Sequence, residues 1–260
     1  MENKDVFREI ISDYEAARPR YPDALFQDVI SYAGLNPDAK ILEIGAGPGQ
    51  ATAYFVKCQY DLTALEISDK QVQFLKGKFS QYPLFHCECS TFEDYIIDPE
   101  TYDLVLSATA FHWIQPEVGY PKAFNLLKEN GVIAVFWHMA SIVEPQAEML
   151  KQIREIYRSF APELDDYISL DEAERLHQLR ISQIQTQQLF HNPISKTYRW
   201  DDEYTTERYL KLMNSYSDFH SICVENQNTI LEHVADYIGN NGGKIIIPQE
   251  VRLYMAKKTD

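Results

Sequence analysis

The most explicit chemical pattern in the chain is Ile41-Leu42-Glu43-Ile44-Gly45-Ala46-Gly47-Pro48-Gly49-Gln50-Ala51-Thr52. Three alternate glycines stand between an apolar run and a helical one. A Cβ at such positions would block both the tight reversal of the chain and the close approach of a ligand. The helix N-terminus behind the turn offers free N–H groups to an anion or a carboxylate. Glu66 closes the next apolar run, 66 − 45 = 21 residues beyond Gly45. A carboxylate placed there accepts hydrogen bonds from ribose hydroxyls. Together the two features describe a site for a nucleoside-containing cofactor. Dinucleotide sites space their glycines G-x-G-x-x-G, and here the third of those positions holds Gln50. A nucleotide-dependent oxidoreductase is therefore the weaker enzyme reading. A cofactor-binding protein without catalysis is the other alternative.

Such residues act together only if a sheet holds them at one edge. From Lys40 to Trp137 short apolar runs alternate with helical stretches. Strands are expected at Lys40–Ile44, Asp61–Glu66, Leu84–Cys87, Asp103–Ser107 and Gly131–Trp137. Helices are expected at Gln50–Lys57, Asp69–Phe79 and Glu117–Lys128, the last ended by Asn130-Gly131. This alternation predicts an α/β fold with a doubly wound, mostly parallel sheet covered on both faces. Ligands of such sheets gather at the carboxyl ends of the strands. His112, just beyond the fourth strand, is thereby a candidate for the substrate site and for general acid or base work.

Later in the chain Leu150, Ile153, Tyr157 and Phe160 recur at helical spacing, and a second helical piece spans Asp171–Arg180. Gln185–Trp200 is strand-like, with a bend at Asn192-Pro193. Helices follow at Glu203–Met213 and Ser221–Ile238, with Ile222, Ile230, Val234 and Ile238 in phase, and a strand closes the chain over Lys244–Lys257. Residues 1–260 are thus expected as a single domain, with 140–183 as a helical insertion capping the active site. The Asp165-Asp166 and Asp201-Asp202 pairs are expected as solvated residues rather than a metal site, and no metal is called for.

The glycine string, with Glu43 two residues before Gly45, resembles motif I of the class I S-adenosylmethionine-dependent methyltransferases. The resemblance implies a Rossmann-like, seven-stranded sheet with S-adenosylmethionine as cofactor. It implies cofactor contacts from Glu43, Gly45, Gly47, Gly49 and Glu66. It also implies adenine contacts from Ser90-Thr91-Phe92, after the third strand, and places Ser107, near the end of the fourth, by the methionine part. Tyr14 through Arg18-Pro19-Arg20-Tyr21-Pro22 is similar to the opening segment of trans-aconitate-like methyltransferases, and Ala110-Phe111-His112-Trp113 is similar to a segment those proteins carry after the fourth strand. Tyr14 and Arg18 are implied at the cofactor, and Tyr21, His112 and Trp113 at the substrate. Trp113 is read first as packing and second as an apolar wall of the pocket. Arg18 is read as a partner for a carboxylate of cofactor or substrate. Tyr14–Tyr21 and Ala140–Gln183 are expected to border one cleft and to become more ordered when ligand binds.

Charge narrows the acceptor. With 39 acidic against 24 basic residues the formal net charge is −15, a field that repels phosphate backbones and anionic membranes. A small molecule, one bearing a carboxylate, is the expected partner, with no nucleic acid and no membrane; composition says nothing of oligomeric state. The opening segment MENKDVFREI shows no secretory pattern. Cys58, Cys87, Cys89 and Cys223 form no CxxC pair and are expected as free thiols in the cytoplasm.

Overall fold

A computed structural model describes residues 17–139, 148–162, 170–216 and 219–258. The chain divides into two compact units. A sheet unit comprises Arg20–His138, Glu174–Tyr198 and Val251–Asp260. A helical unit comprises Met1–Pro19, Met139–Ala173 and Arg199–Glu250.

The strands are β1 (Lys40–Ile44), β2 (Asp61–Glu66), β3 (Phe85–Cys89), β4 (Tyr102–Ala108), β5 (Leu127–His138), β6 (Phe190–Thr205) and β7 (Lys244–Lys258), ordered β3-β2-β1-β4-β5-β7-β6. The pairs β3-β2, β2-β1, β1-β4 and β4-β5 are parallel. β7 runs antiparallel to β5, from Val132 opposite Lys257 to His138 opposite Val251. The expected mostly parallel, seven-stranded α/β fold is therefore present. β1 lies between β2 and β4, where the chain order reverses, and the crevice outside such a reversal is where open sheets receive ligands.

Burial explains why these segments are strands. β1, β2, β4 and β5 are covered on both faces and read as nearly continuous apolar runs. β3 is an edge strand; alternation puts Cys87 and Cys89 on one face, where Cys87 is buried and Cys89, at the strand's end, is exposed. The sheet unit's helices are α1 (Asp23–Ala33), α2 (Thr52–Lys57), α3 (Asp69–Lys78) and α4 (Pro116–Leu126). α1 has no counterpart among the expected elements. It buries Leu25, Phe26 and Val29 and ends at Gly34, whose φ of 62° closes the last turn. Asn130-Gly131 does not stop a helix. α4 already ends at Leu126, and Asn130, at φ 61°, sits in a bulge where five steps of β5 (132 − 127) face two of β4 (104 − 102).

In the helical unit, α5 (Glu148–Phe160), α7 (Thr206–Asn214) and α8 (Val224–Asn240) share one core with Ile153, Tyr204, Ile230, Val234 and Ile238 at its centre. The in-phase apolar positions of α8 are the buried ones. α7 starts later than expected because Thr205 is its N-cap, accepting from the Arg208 N–H. Asp202 is no solvated loop residue. Both its oxygens accept from Arg208, at 2.8 and 2.9 Å, with the guanidinium stacked on Tyr204.

The segment 140–183 was expected as a helical insertion. The boundary between units falls at Ala173/Glu174, inside α6 (Leu170–Thr186). Residues 140–147 and 163–169, including Asp165-Asp166, lie outside the described residues. No described helix is long and apolar enough to cross a membrane.

Candidate functional site

The glycine turn follows β1. Gly45 and Ala46 donate to the Leu65 carbonyl at 2.9 and 3.1 Å, tying the turn to β2. The three glycines serve different needs. A Cβ on Gly45 would fall 2.4 Å from Ala110 Cβ, and one on Gly49 would fall 2.7 Å from both Leu75 Cδ2 and Phe79 Cε2. Gly47, at φ 54°, has nothing within 4 Å of its Cβ position and is the open side of the turn.

Glu66, at the end of β2, is held at this turn. Its carboxylate accepts from the Gly47 N–H at 2.9 Å and the Ser68 N–H at 3.0 Å. Ser68 also caps α3. Two backbone donors fix the carboxylate before any ligand arrives. Glu43 lies beneath, fully buried, and accepts from Thr52 Oγ1 at 2.6 Å. Its Oε1 has no partner among the described residues. Burial pushes its carboxyl up to about 7, against the opposing pull of the Thr52 bonds and the Lys78 charge. Ser107 is buried too, donating to the Ile44 carbonyl at 2.9 Å. Glu43 and Ser107 thus support the turn from below.

The Ser90–Phe92 segment follows β3, and the Ser90 N–H donates to the Glu66 carbonyl at 3.2 Å. Its side chains are committed elsewhere. Ser90 Oγ donates to the Thr91 carbonyl, Thr91 Oγ1 donates to Asp94, and the Phe92 ring is buried. Ile67, absent from the expected site residues, is 73% exposed immediately after the buried Glu66. An aliphatic residue directly after a strand-ending acid is the signal that would have found it.

Ala110, in contact with the Gly45 position, leads into the 3-10 turn Phe111–Trp113. Positions three apart eclipse in such a turn, so Phe111 and Ile114 are buried while His112 and Trp113 face outward. Trp113 is 81% exposed, which overturns its reading as a packing residue. Tyr21 bonds Thr109 Oγ1 at 3.1 Å through its hydroxyl and packs edge-on to Phe136. The Trp137 indole N–H donates to His112 Nδ1 at 3.1 Å. Indole offers only a donor, so the nitrogen it meets must be the unprotonated one. Burial, and then the Arg180 charge, hold His112 below the ordinary histidine range. The neutral ring therefore carries its proton on Nε2, and its single basic nitrogen is already engaged.

Arg18 belongs to the helical unit. There it donates to Ser215 Oγ at 3.0 Å and to the Ser215 carbonyl at 3.2 Å, stacked on Tyr216. Gly45, Gly47, Gly49, Glu66, Ser90, Tyr21 and His112 belong to the sheet unit and Arg18 does not. Tyr14 lies outside the described residues.

Residues 42–135 match the family described as "Methyltransferase domain". That stretch of the chain is similar to a methyltransferase domain. The matched span runs from β1 into β5 and contains the glycine turn, Glu66 and His112. Two proteins of Schizosaccharomyces pombe are similar to the chain, and both are described as uncharacterized methyltransferases or methyltransferase-like. One is 29% identical over 60% of this chain and 60% of its own length, the other 30% identical over 57% and 59%. The chain thus spans about three fifths of these relatives. A candidate type II methyltransferase from Anaeromyxobacter dehalogenans is similar in fold to this chain. It covers 93% of this chain and 97% of its own at 16% identity, with a TM-score of 0.64. An N-methyltransferase from Haemonchus contortus, solved with phosphomonomethylethanolamine and S-adenosylhomocysteine, covers 96% of this chain and 57% of its own at 12% identity, with a TM-score of 0.55.

Proposed function

We propose that the protein transfers a methyl group from S-adenosylmethionine to a small organic acceptor that bears a carboxylate. The observation that carries the cofactor is the Glu66 carboxylate, pinned by the Gly47 and Ser68 N–H groups beside the open face of Gly47. That arrangement fits a nucleoside. Glu66 would hold the ribose hydroxyls, Ile67 would supply an apolar surface for the base, and Gly47 would admit the ligand where any Cβ would intrude. Ser90-Thr91-Phe92 would meet the adenine through its backbone, since its side chains are occupied.

When bound, the cofactor supplies an electrophilic methyl carbon on a sulfonium. The protein's work is to align the acceptor in line with that carbon and to exclude water. Tyr21 and His112, on segments beside the glycine turn, would do this work. His112 acts as a hydrogen-bond donor through Nε2. A carboxylate acceptor is ionised at neutral pH and needs no base, which agrees with a histidine whose lone pair is taken by Trp137. The net charge of −15 disfavours polyanionic acceptors. The cytoplasm is the location proposed, on the strength of the free thiols. A turnover assay for S-adenosylhomocysteine over a panel of small mono-, di- and tricarboxylic acids tests this function. Turnover with at least one acid is the expected result. Methylation confined to tRNA or protein would contradict the acceptor class and leave the cofactor in place.

A further inference from the structure

Arg180 has no role in the site as described so far. It lies on the part of α6 that belongs to the sheet unit. Its guanidinium stacks 4.2 Å from the centre of the Trp137 ring, and its one hydrogen bond is a 3.3 Å contact to Gln183 Oε1. In a chain with 39 acidic residues it has no carboxylate partner among the described residues. Arg252 of the same unit differs, with Glu174 at 3.8 Å. Burial draws Arg180 below the ordinary arginine range. A half-buried guanidinium with no carboxylate against it among the described residues is costly to keep. Its guanidinium carbon lies over the indole ring, and a guanidinium carries parallel donors matched to a planar oxyanion.

Trp137 also reaches the other way, since its N–H fixes His112 Nδ1. One indole thus carries a cation on its face and orients an imidazole at its edge. We propose that Arg180 and the His112 Nε2–H together hold the carboxylate of the methyl acceptor, with Trp137 as the positioning residue for both. This assignment rests on the methyl-transfer reading of the site. The titratable groups around the pair are Tyr120 on α4, His177 and Glu174 on α6, and Arg252 and Tyr254 on β7. Glu174 is drawn toward Arg252, and His177 bonds the Tyr254 hydroxyl at 3.0 Å.

Two measurements decide the matter. Nitrogen-15 NMR of the imidazole rings, with His112 assigned by its loss in H112Q, reads the tautomer. The expected result is an Nε2–H ring in the wild type, and in W137F a mixture of tautomers with a raised pKa. An Nδ1–H ring in the wild type would overturn the positioning role. Calorimetric titration of succinate into protein saturated with S-adenosylhomocysteine reads the anion site. Succinate is expected to bind the wild type and to bind R180Q roughly tenfold more weakly or less well still, with affinity for S-adenosylhomocysteine the same in both. Equal succinate binding by R180Q, or no binding of either succinate or inorganic phosphate by the wild type, would overturn the anion site. An equal loss of S-adenosylhomocysteine affinity in R180Q would assign the guanidinium to the cofactor's carboxylate and overturn the acceptor role. If the wild type bound no S-adenosylhomocysteine, the methyl-transfer reading would fail. The tautomer and a succinate titration of the free protein would still decide the present assignment.

Discussion

Glu66 and Glu43 stand on adjacent strands, yet their surroundings give them opposite work. Glu66 accepts from two backbone N–H groups at the open turn, so its loss removes charge-assisted bonds to a ligand. Glu66→Ala should weaken S-adenosylhomocysteine binding by about 1–3 kcal/mol in calorimetry, and unchanged affinity would remove Glu66 from the site. Glu43 faces protein alone. Its folded pKa, about 7, exceeds its ordinary 4.5, so the folded state binds the extra proton between those values. Stability from this group is present below 4.5 and is lost as pH rises toward 7. A shift of that size corresponds to on the order of 3 kcal/mol. Glu43→Gln should therefore flatten the decline in melting temperature between pH 4.5 and pH 8. The same decline in both proteins would show that Glu43 ionises freely in the fold.

The glycine turn separates fold from function within one loop. Gly49→Ala should cost about 1–3 kcal/mol of stability, because its Cβ would press on Leu75 and Phe79. Gly47→Ala puts its Cβ clear of other atoms and adds only the strain of a positive φ, which Gly49→Ala shares; it should abolish S-adenosylhomocysteine binding with a smaller fall in melting temperature than Gly49→Ala. Equal falls in the two variants would contradict this division. The turn was legible in the sequence because three alternate glycines and an acid at a fixed distance have few other uses. The strands β1, β2, β4 and β5 were legible because burial on both faces leaves continuous apolar runs. α1 was missed although Pro22 and Gly34 mark its ends, since its buried positions Leu25, Phe26 and Val29 span little more than one turn and show too short a period. The bulge at Asn130-Gly131 was read as a stop, because a residue with positive φ serves either purpose. Arg180 could not be found from sequence. Its meaning comes from Trp137, 43 positions earlier (180 − 137), and only packing brings the two together.

The molecule combines a sheet unit, which contains the stretch similar to methyltransferase domains, with a helical unit that has its own core. The chain passes between them repeatedly. Family likeness is concentrated in residues 42–135, the stretch that contains the glycine turn, Glu66 and His112. Substrate choice changes readily on one fold, so the cofactor is the claim on which the rest depends. Isothermal titration of the full chain with S-adenosylhomocysteine and, in parallel, with NAD tests it most directly. The account predicts saturable binding of S-adenosylhomocysteine, weakened in Glu66→Ala, and no binding of NAD. Tight binding of NAD with none of S-adenosylhomocysteine would contradict it.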